Sequence, residues 1–284
     1  MYCNAACKKK HRKKHKKECE RRVAELHDEK LFKQPPPLED CPICFIRLPE
    51  LESGRAYMAC CGKTICTGCM NAPVFDDQGN KVDNRKCAFC RTLFPTSDDE
   101  VIKRLDGRMS LDDAKAFWYM GSYYERGLCG LPQSIAKALE HYHRAGELGS
   151  AAAYFNISTA YENGRGVKVD KKKAEHYLEL AAMEGDAFSR HCLGSFEYKL
   201  GNMDRALRHY SIALYSGEIK SFTGIRLLYH NGYATDDDCI KAVQPYLDYI
   251  DEIKSDQRDK AAAFKDEYKY YEYDSLEAYV NRYS

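Results

Sequence analysis

The stretch SAAAYFNISTAYENGRGVKVDKKKAEHYLELAAMEGD, Ser150–Asp186, carries the pattern on which the rest of the chain is built. Its marker residues return on both sides. Tyr124, Tyr161, Tyr198 and Tyr229 each stand three residues before a glycine, namely Gly127, Gly164, Gly201 and Gly232. Later in each unit Ala138, Ala145 and Gly149 come back as Ala174, Ala181 and Gly185, then as Ala206, Ala213 and Gly217. Tyr124 to Tyr161 and Tyr161 to Tyr198 are both steps of 37 residues. The third unit is shorter, because GNMDRA lacks the loop present in GRGVKVDKKKA. Each unit predicts two amphipathic helices, with alanines where helices approach closely and glycines as left-handed caps. Such units bury their apolar faces only against one another, so they stack into a solenoid.

SYYERG (Ser122–Gly127), AYENGRGVKVDKKKA and HYLELAAMEGD resemble Sel-one-like repeats, relatives of the tetratricopeptide repeat. The resemblance covers residues 112–251, three units clearly and a fourth in degenerate form. There Tyr249 and Ile253 replace the expected alanine and glycine, and Pro245 predicts an interrupted second helix. The resemblance implies a concave face that binds a protein substrate or partner. Most conspicuous side chains in the array read as packing: Trp118 is wedged in the first unit, and Cys129, Cys192 and Cys239 are inert buried thiols. His141 and His143, two apart on a helix, face different ways and make no metal pair.

Upstream of the array the composition changes. Of fourteen cysteines, eleven precede Arg91. Eight of them fall between Cys41 and Cys90, as three C-x-x-C pairs plus the adjacent Cys60 and Cys61. The N-terminus is lysine-rich where a signal peptide needs apolar residues, and no apolar run approaches the length of a membrane span. The expected setting is therefore cytoplasmic or nuclear, without a membrane, where thiols stay reduced and paired cysteines read as zinc ligands. Four pairs suffice for two closed four-thiolate sites. The segment has too few apolar residues for a core of its own, so two zinc ions are expected to supply much of its folding energy.

CPIC, then CCGKTICTGC, then CAFCR is similar to a RING finger in its all-cysteine form. The resemblance implies that Cys41, Cys44, Cys66 and Cys69 hold one ion and Cys60, Cys61, Cys87 and Cys90 the other; a generic zinc ribbon or knuckle is the alternative. Lys63 stands where the commonest RING has histidine, so Cys60 must supply that ligand, across a tight turn at Gly62. In RING ligases an apolar residue of the first C-x-x-C contacts the ubiquitin-conjugating enzyme, a position Ile43 matches. A cationic residue after the last ligand contacts enzyme and ubiquitin together, and Arg91 matches it. Ala88 departs from the proline found there in many ligases. Packing for Ile43 and charge compensation for Arg91 are the competing readings. Gln78, Gly79 and Asn80 predict a turn between two short strands in the loop before Cys87.

Cys3, Cys7, His15 and Cys19 resemble the second half of a MYND-type zinc finger, whose first half is absent. An improvised site, a remnant and no metal at all remain as alternatives, and residues 1–34 are expected to be poorly ordered. The run KKKHRKKHKK, Lys8–Lys17, reads as a solvated charged helix; without aromatic residues for stacking, nucleic acid is an unlikely partner. Glu18–Lys33 predicts a short amphipathic helix, ended by Pro35, Pro36 and Pro37, a semi-rigid spacer. With 44 Lys and Arg against 43 Asp and Glu, the whole chain has no charge bias toward an anionic partner.

The expected architecture is mostly α: a basic arm (1–34), a small zinc-stabilised α+β RING module (35–96), a connecting helix (97–111) capped by Ser97, the repeat solenoid (112–251), and a charged, Tyr-rich helix and tail (252–284). The leading function is a RING-type ubiquitin ligase that recruits a conjugating enzyme through the RING and a substrate through the repeats. A non-catalytic interaction scaffold is the first alternative and a nuclear nucleic-acid adaptor the second.

Overall fold

The computed structural model describes residues 12–35, 39–72, 78 and 85–271. Cys3, Cys7, Gly79 and Asn80 of the expected turn and the tail from 272 lie outside the described residues, as do the side chains of 12–16 and 267. Twelve α-helices and one β-hairpin are present among those described. The chain divides into two compact units, Met1–Gln34 and Pro35–Ser284.

The first unit contains α1, Arg12–Leu31. The helix expected over Glu18–Lys33 is, as far as Leu31, part of this longer one, of 20 residues. Lys, Arg, Glu and Leu are good helix formers. Arg21 with Glu18 (2.6 Å) and Arg22 with Glu25 (3.1 Å) add solvent-screened pairs along its surface. Val23, one of the apolar residues of this amphipathic segment, is exposed.

In the second unit the hairpin comes first, β1 (Arg55–Met58) and β2 (Lys63–Cys66), antiparallel with Arg55 opposite Cys66 and Met58 opposite Lys63. A short helix α2 (Thr67–Asn71) follows, then α3 (Asp98–Met109). Ser97 caps α3 as expected, accepting from the Glu100 amide, while the Glu100 carboxylate accepts from the Thr96 amide. The array then runs α4 (Ala114–Arg126), α5 (Ile135–Glu147), α6 (Ala151–Asn163), α7 (Lys171–Met183), α8 (Ala187–Leu200), α9 (Met203–Tyr215), α10 (Lys220–His230) and α11 (Asp236–Ile253). A last helix, α12, covers Asp256–Phe264.

Capping repeats with the sequence. Asp113, Ser150 and Asp186 open α4, α6 and α8, and Ser134 and Asp170 open α5 and α7, each side chain accepting a backbone amide of the first turn. Gly127, Gly164 and Gly201 close α4, α6 and α8 in the left-handed region, where a Cβ would be strained. The register alanines Ala138, Ala145, Ala174, Ala181, Ala206 and Ala213 are all buried. They bring the paired helices together, and a side chain at Gly121 would meet the Tyr142 ring at 2.7 Å. His141 stacks on Tyr124 and His143 meets Tyr177, so the two do face different partners.

Pro245 does not interrupt its helix. α11 runs unbroken through it for 18 residues, which corrects the sequence expectation. Proline inside a helix costs about 3 kcal/mol. The face bearing Cys239, Ala242, Val243, Tyr246, Tyr249, Ile250 and Ile253 is buried on both sides of it, and at about 1.5–3 kcal/mol per large apolar side chain that burial outweighs the lost hydrogen bond. Tyr249 and Ile253 are core residues of the array's end.

The hairpin and its flanking loops lie along one edge of the array. Tyr57 Oη donates to Asp113 at the start of α4 (2.8 Å), and Lys115 donates to Thr64. Farther on, Glu50 packs against Gly217, and the Glu50 amide donates to Tyr249 Oη (2.6 Å). The Arg47 guanidinium pairs with Glu50 and Glu252 over the Tyr249 ring. α12 packs on α2 of the cysteine segment, and its Ala262, with Tyr270 and Tyr271 beyond it, packs against the core at the end of the array.

Candidate metal centre

Four backbone devices present the cysteines. Cys41 and Cys44 sit in a loop closed by an antiparallel bridge between Asp40 and Arg47, and Cys87 and Cys90 in one closed by Lys86 and Leu93. The two loops match in detail. The Phe45 amide donates to Cys41 O and the Arg91 amide to Cys87 O, both at 2.9 Å, and both residues have positive φ, 56° and 62°. Cys60 and Cys61 occupy the turn between β1 and β2, where Gly62 has φ 71° and its amide donates to Met58 O. Cys66 ends β2, and Cys69 lies in α2.

These devices converge in two clusters. The sulfurs of Cys41, Cys44, Cys66 and Cys69 all lie within 4.8 Å of one another, and so do those of Cys60, Cys61, Cys87 and Cys90. The sulfurs of a zinc tetrahedron stand about 3.8 Å apart, given a Zn–S bond near 2.3 Å. Cys44 and Cys66 are at 3.9 Å and Cys60 and Cys90 at 3.4 Å, far beyond a disulfide bond. The first ligand pair thus shares a cluster with the third, and the second with the fourth. A ribbon that used neighbouring pairs would not place them so.

The electrostatics show what a cation would do here. Hydrogen bonds from Cys66 and Cys69 hold the Cys41 thiol far below its usual range, while the same contacts push Cys69 up. Burial raises Cys60 and Cys61. Burial also opposes ionisation of Cys90, yet hydrogen bonding by Thr92 and Cys60 outweighs it and brings that thiol down to about 6. Thiols held this close oppose one another's ionisation. Only a bound cation lets all four ionise together. Hard cations prefer oxygen ligands, so an all-sulfur set fits zinc.

Ile43 is half-buried against the cysteine core, and Arg91 is exposed. Three exposed apolar residues of the same loops went unnoticed in the sequence: Phe45 (78% exposed), Phe89 and Leu93. Their signal was positional, because Phe45 stands to Cys44 as Arg91 does to Cys90, and Phe89 stands to Cys87 as Ile43 does to Cys41. Of the arm residues, Cys19 is half-buried in α1, and Cys3, Cys7 and the His15 side chain lie outside the described residues.

Residues 114–150 and 151–186 match the family model described as Sel1 repeat, so the chain carries Sel1 repeats within a helical array of the kind that mediates protein–protein contacts. Among curated proteins it is 30% identical over 92 residues to the alginate biosynthesis protein AlgK of Azotobacter vinelandii, covering 32% of this chain and 19% of that protein. It is 41% identical over 58 residues to the E3 ubiquitin-protein ligase DA2 of Arabidopsis thaliana, covering 19% of this chain and 12% of the ligase. The chain thus spans less than a fifth of either relative. Two solved structures are also similar. A Sel1 repeat protein from Oxalobacter formigenes has a TM-score of 0.44 at 27% identity, over 59% of this chain and 65% of that one. The protective antigen c5321 of uropathogenic Escherichia coli, with an SLR fold, has a TM-score of 0.46 at 20% identity, over 63% and 42%. No described helix is long and apolar enough to cross a membrane.

Proposed function

We propose that the chain is a RING-type ubiquitin ligase, holding two zinc ions in its cysteine module, recruiting a ubiquitin-conjugating enzyme through that module and a protein substrate through the repeats. The observation that carries this reading is the alternate pairing of the four cysteine pairs, first with third and second with fourth. The local likeness to the ligase DA2 supports it. Zinc serves as a structural ion: with all four positions taken by thiolates it keeps no open site for substrate. The module does no covalent chemistry. Its contribution is to hold the charged conjugating enzyme so that the thioester faces an incoming lysine, and orientation alone can remove several kcal/mol of a barrier.

Two residues divide that work. Ile43, with the exposed Phe89 of the matching loop, offers the conjugating enzyme an apolar contact. Arg91 projects from a left-handed backbone directly after the last ligand, where a planar guanidinium with several fixed donors can reach enzyme and ubiquitin at once. Ile43→Ala should weaken recruitment by about 1–2 kcal/mol. Arg91→Ala should leave recruitment nearly intact and slow ubiquitin discharge to free lysine, because its contacts form mainly in the reactive arrangement. Discharge is to be measured across a panel of conjugating enzymes, at unchanged zinc content. Discharge that neither substitution alters, with a conjugating enzyme demonstrably engaged, would instead make the module a scaffold.

A further inference from the structure

α12 sits directly behind the first cysteine cluster. Arg258, at its N-terminal turn, is wholly buried. Its two terminal nitrogens donate to backbone carbonyls, Nη1 to Ile253 O (2.7 Å) and Nη2 to Ile46 O (3.2 Å). No carboxylate pairs with it among the described residues, and its Nε–H is buried without a partner there. A buried cation with an orphan donor and no counter-ion is costly. The Arg258 side chain lies against the ligand turn itself: a Cβ at Gly68, between Cys66 and Cys69, would meet its Cγ at 2.9 Å. A cluster of four thiolates around one zinc carries a net charge of about minus two, which is the counter-charge Arg258 otherwise lacks.

A second side chain of the same turn reaches the same cluster. Cys69, as a thiol, donates to Gln257 Oε1 at 3.6 Å. As a thiolate it can only accept, and the amide meets that need when turned to present Nε2. The close approach is built into the ligand turn, for a side chain at Gly68, between Cys66 and Cys69, would lie 2.9 Å from the Arg258 backbone nitrogen.

We propose that α12 forms part of the first metal site, with Arg258 and Gln257 as positioning residues that donate to the Cys66 and Cys69 thiolates and offset the charge of that site alone. The end of the repeat array is thereby coupled to one of the two ions. The inference rests on the two-zinc reading above. Partners behind metal ligands typically set metal affinity by about 10- to 100-fold.

The test uses the full chain purified with zinc and a colorimetric chelator. In the unsubstituted protein two ions should be released, and Arg258→Met should speed release of one of them by at least about 10-fold, Arg258→Lys by less, with helix content unchanged. In the cadmium-113 form, one of two resonances should shift in Gln257→Ala while the other stays. That readout follows hydrogen bonding to sulfur and is not moved by a merely structural role. Should Arg258→Met fail to fold, Gln257→Ala, at an exposed position, decides the question by the same resonance. Unchanged release from folded Arg258→Met, or unshifted resonances in Gln257→Ala, would overturn the proposal while leaving two zinc ions in place. An unsubstituted protein that holds no zinc would remove the two-zinc reading and the proposal with it.

Discussion

His209 is 1% exposed in α9. Burial, with the nearby guanidinium groups of Arg190, Arg205 and Arg208, presses its imidazole down to about 3. In the unfolded chain it titrates near 6.5. Between those values the unfolded state binds the extra proton, so the stability contributed by neutral His209 is whole above about pH 6.5 and is lost as pH falls toward 3. His209→Gln, neutral throughout, should remove about 1 kcal/mol per pH unit from the slope of stability between pH 6.5 and 4.5. Denaturant titrations of both proteins at several pH values check this, and parallel slopes would contradict it. His209 was not legible in the sequence, since a histidine on a helical face carries no mark of how deeply that face is covered. Arg258 was hidden for a related reason: its partner at Ile46 lies 212 residues away, and in its local sequence, SDQRDK, it reads as one more surface charge. The eight cysteines were legible because metal ligation requires that residue type at short fixed spacing.

Helix ends are the best-read elements. Ser97 and the glycines closing α4, α6 and α8 were legible as caps, and Asp113, Ser150, Asp170 and Asp186, which went unnoticed in the sequence, act by the same local chemistry. Pro245 shows where local chemistry loses. The sequence puts a breaker in the second helix of the fourth unit, yet the buried face of α11 continues past it because tertiary packing stabilises the helix by more than the proline costs. Replacing Pro245, itself half-buried, by alanine restores an amide donor within the helix. Pro245→Ala should therefore raise stability by about 1–2 kcal/mol, less than the full helix-interior penalty because the unfolded chain also gains freedom. Thermal unfolding monitored at the helical signal would show this, and a destabilised variant would mean that the ring packs better than a hydrogen bond replaces.

Across the whole second unit, the cysteine module and the array behave as one body. Tyr57 and Thr64 hold the module to the start of the array, Arg47 and Glu50 hold it to α11, and Gly68 is pressed under α12. None of these contacts has a sequence signature, since each joins residues that are ordinary in their own segments. They leave a cavity of about 320 Å³ between module and array, lined by Glu39, Arg55, Lys115 and Glu184 among others. They also mean that the turns after α7 and α9, at Gly185 and Gly217, face the module.

The pairing of the ligand pairs carries both the fold of the module and the proposed ligase function, and counting zinc by native mass spectrometry in paired substitutions tests it directly. The unsubstituted chain should carry two ions. Cys44→Ser with Cys66→Ser should leave one, because both residues serve the same site, whereas Cys44→Ser with Cys61→Ser should leave none. The reverse outcome, both ions lost in the first combination and one kept in the second, would mean that neighbouring pairs share an ion as in a ribbon, and would contradict the alternate pairing.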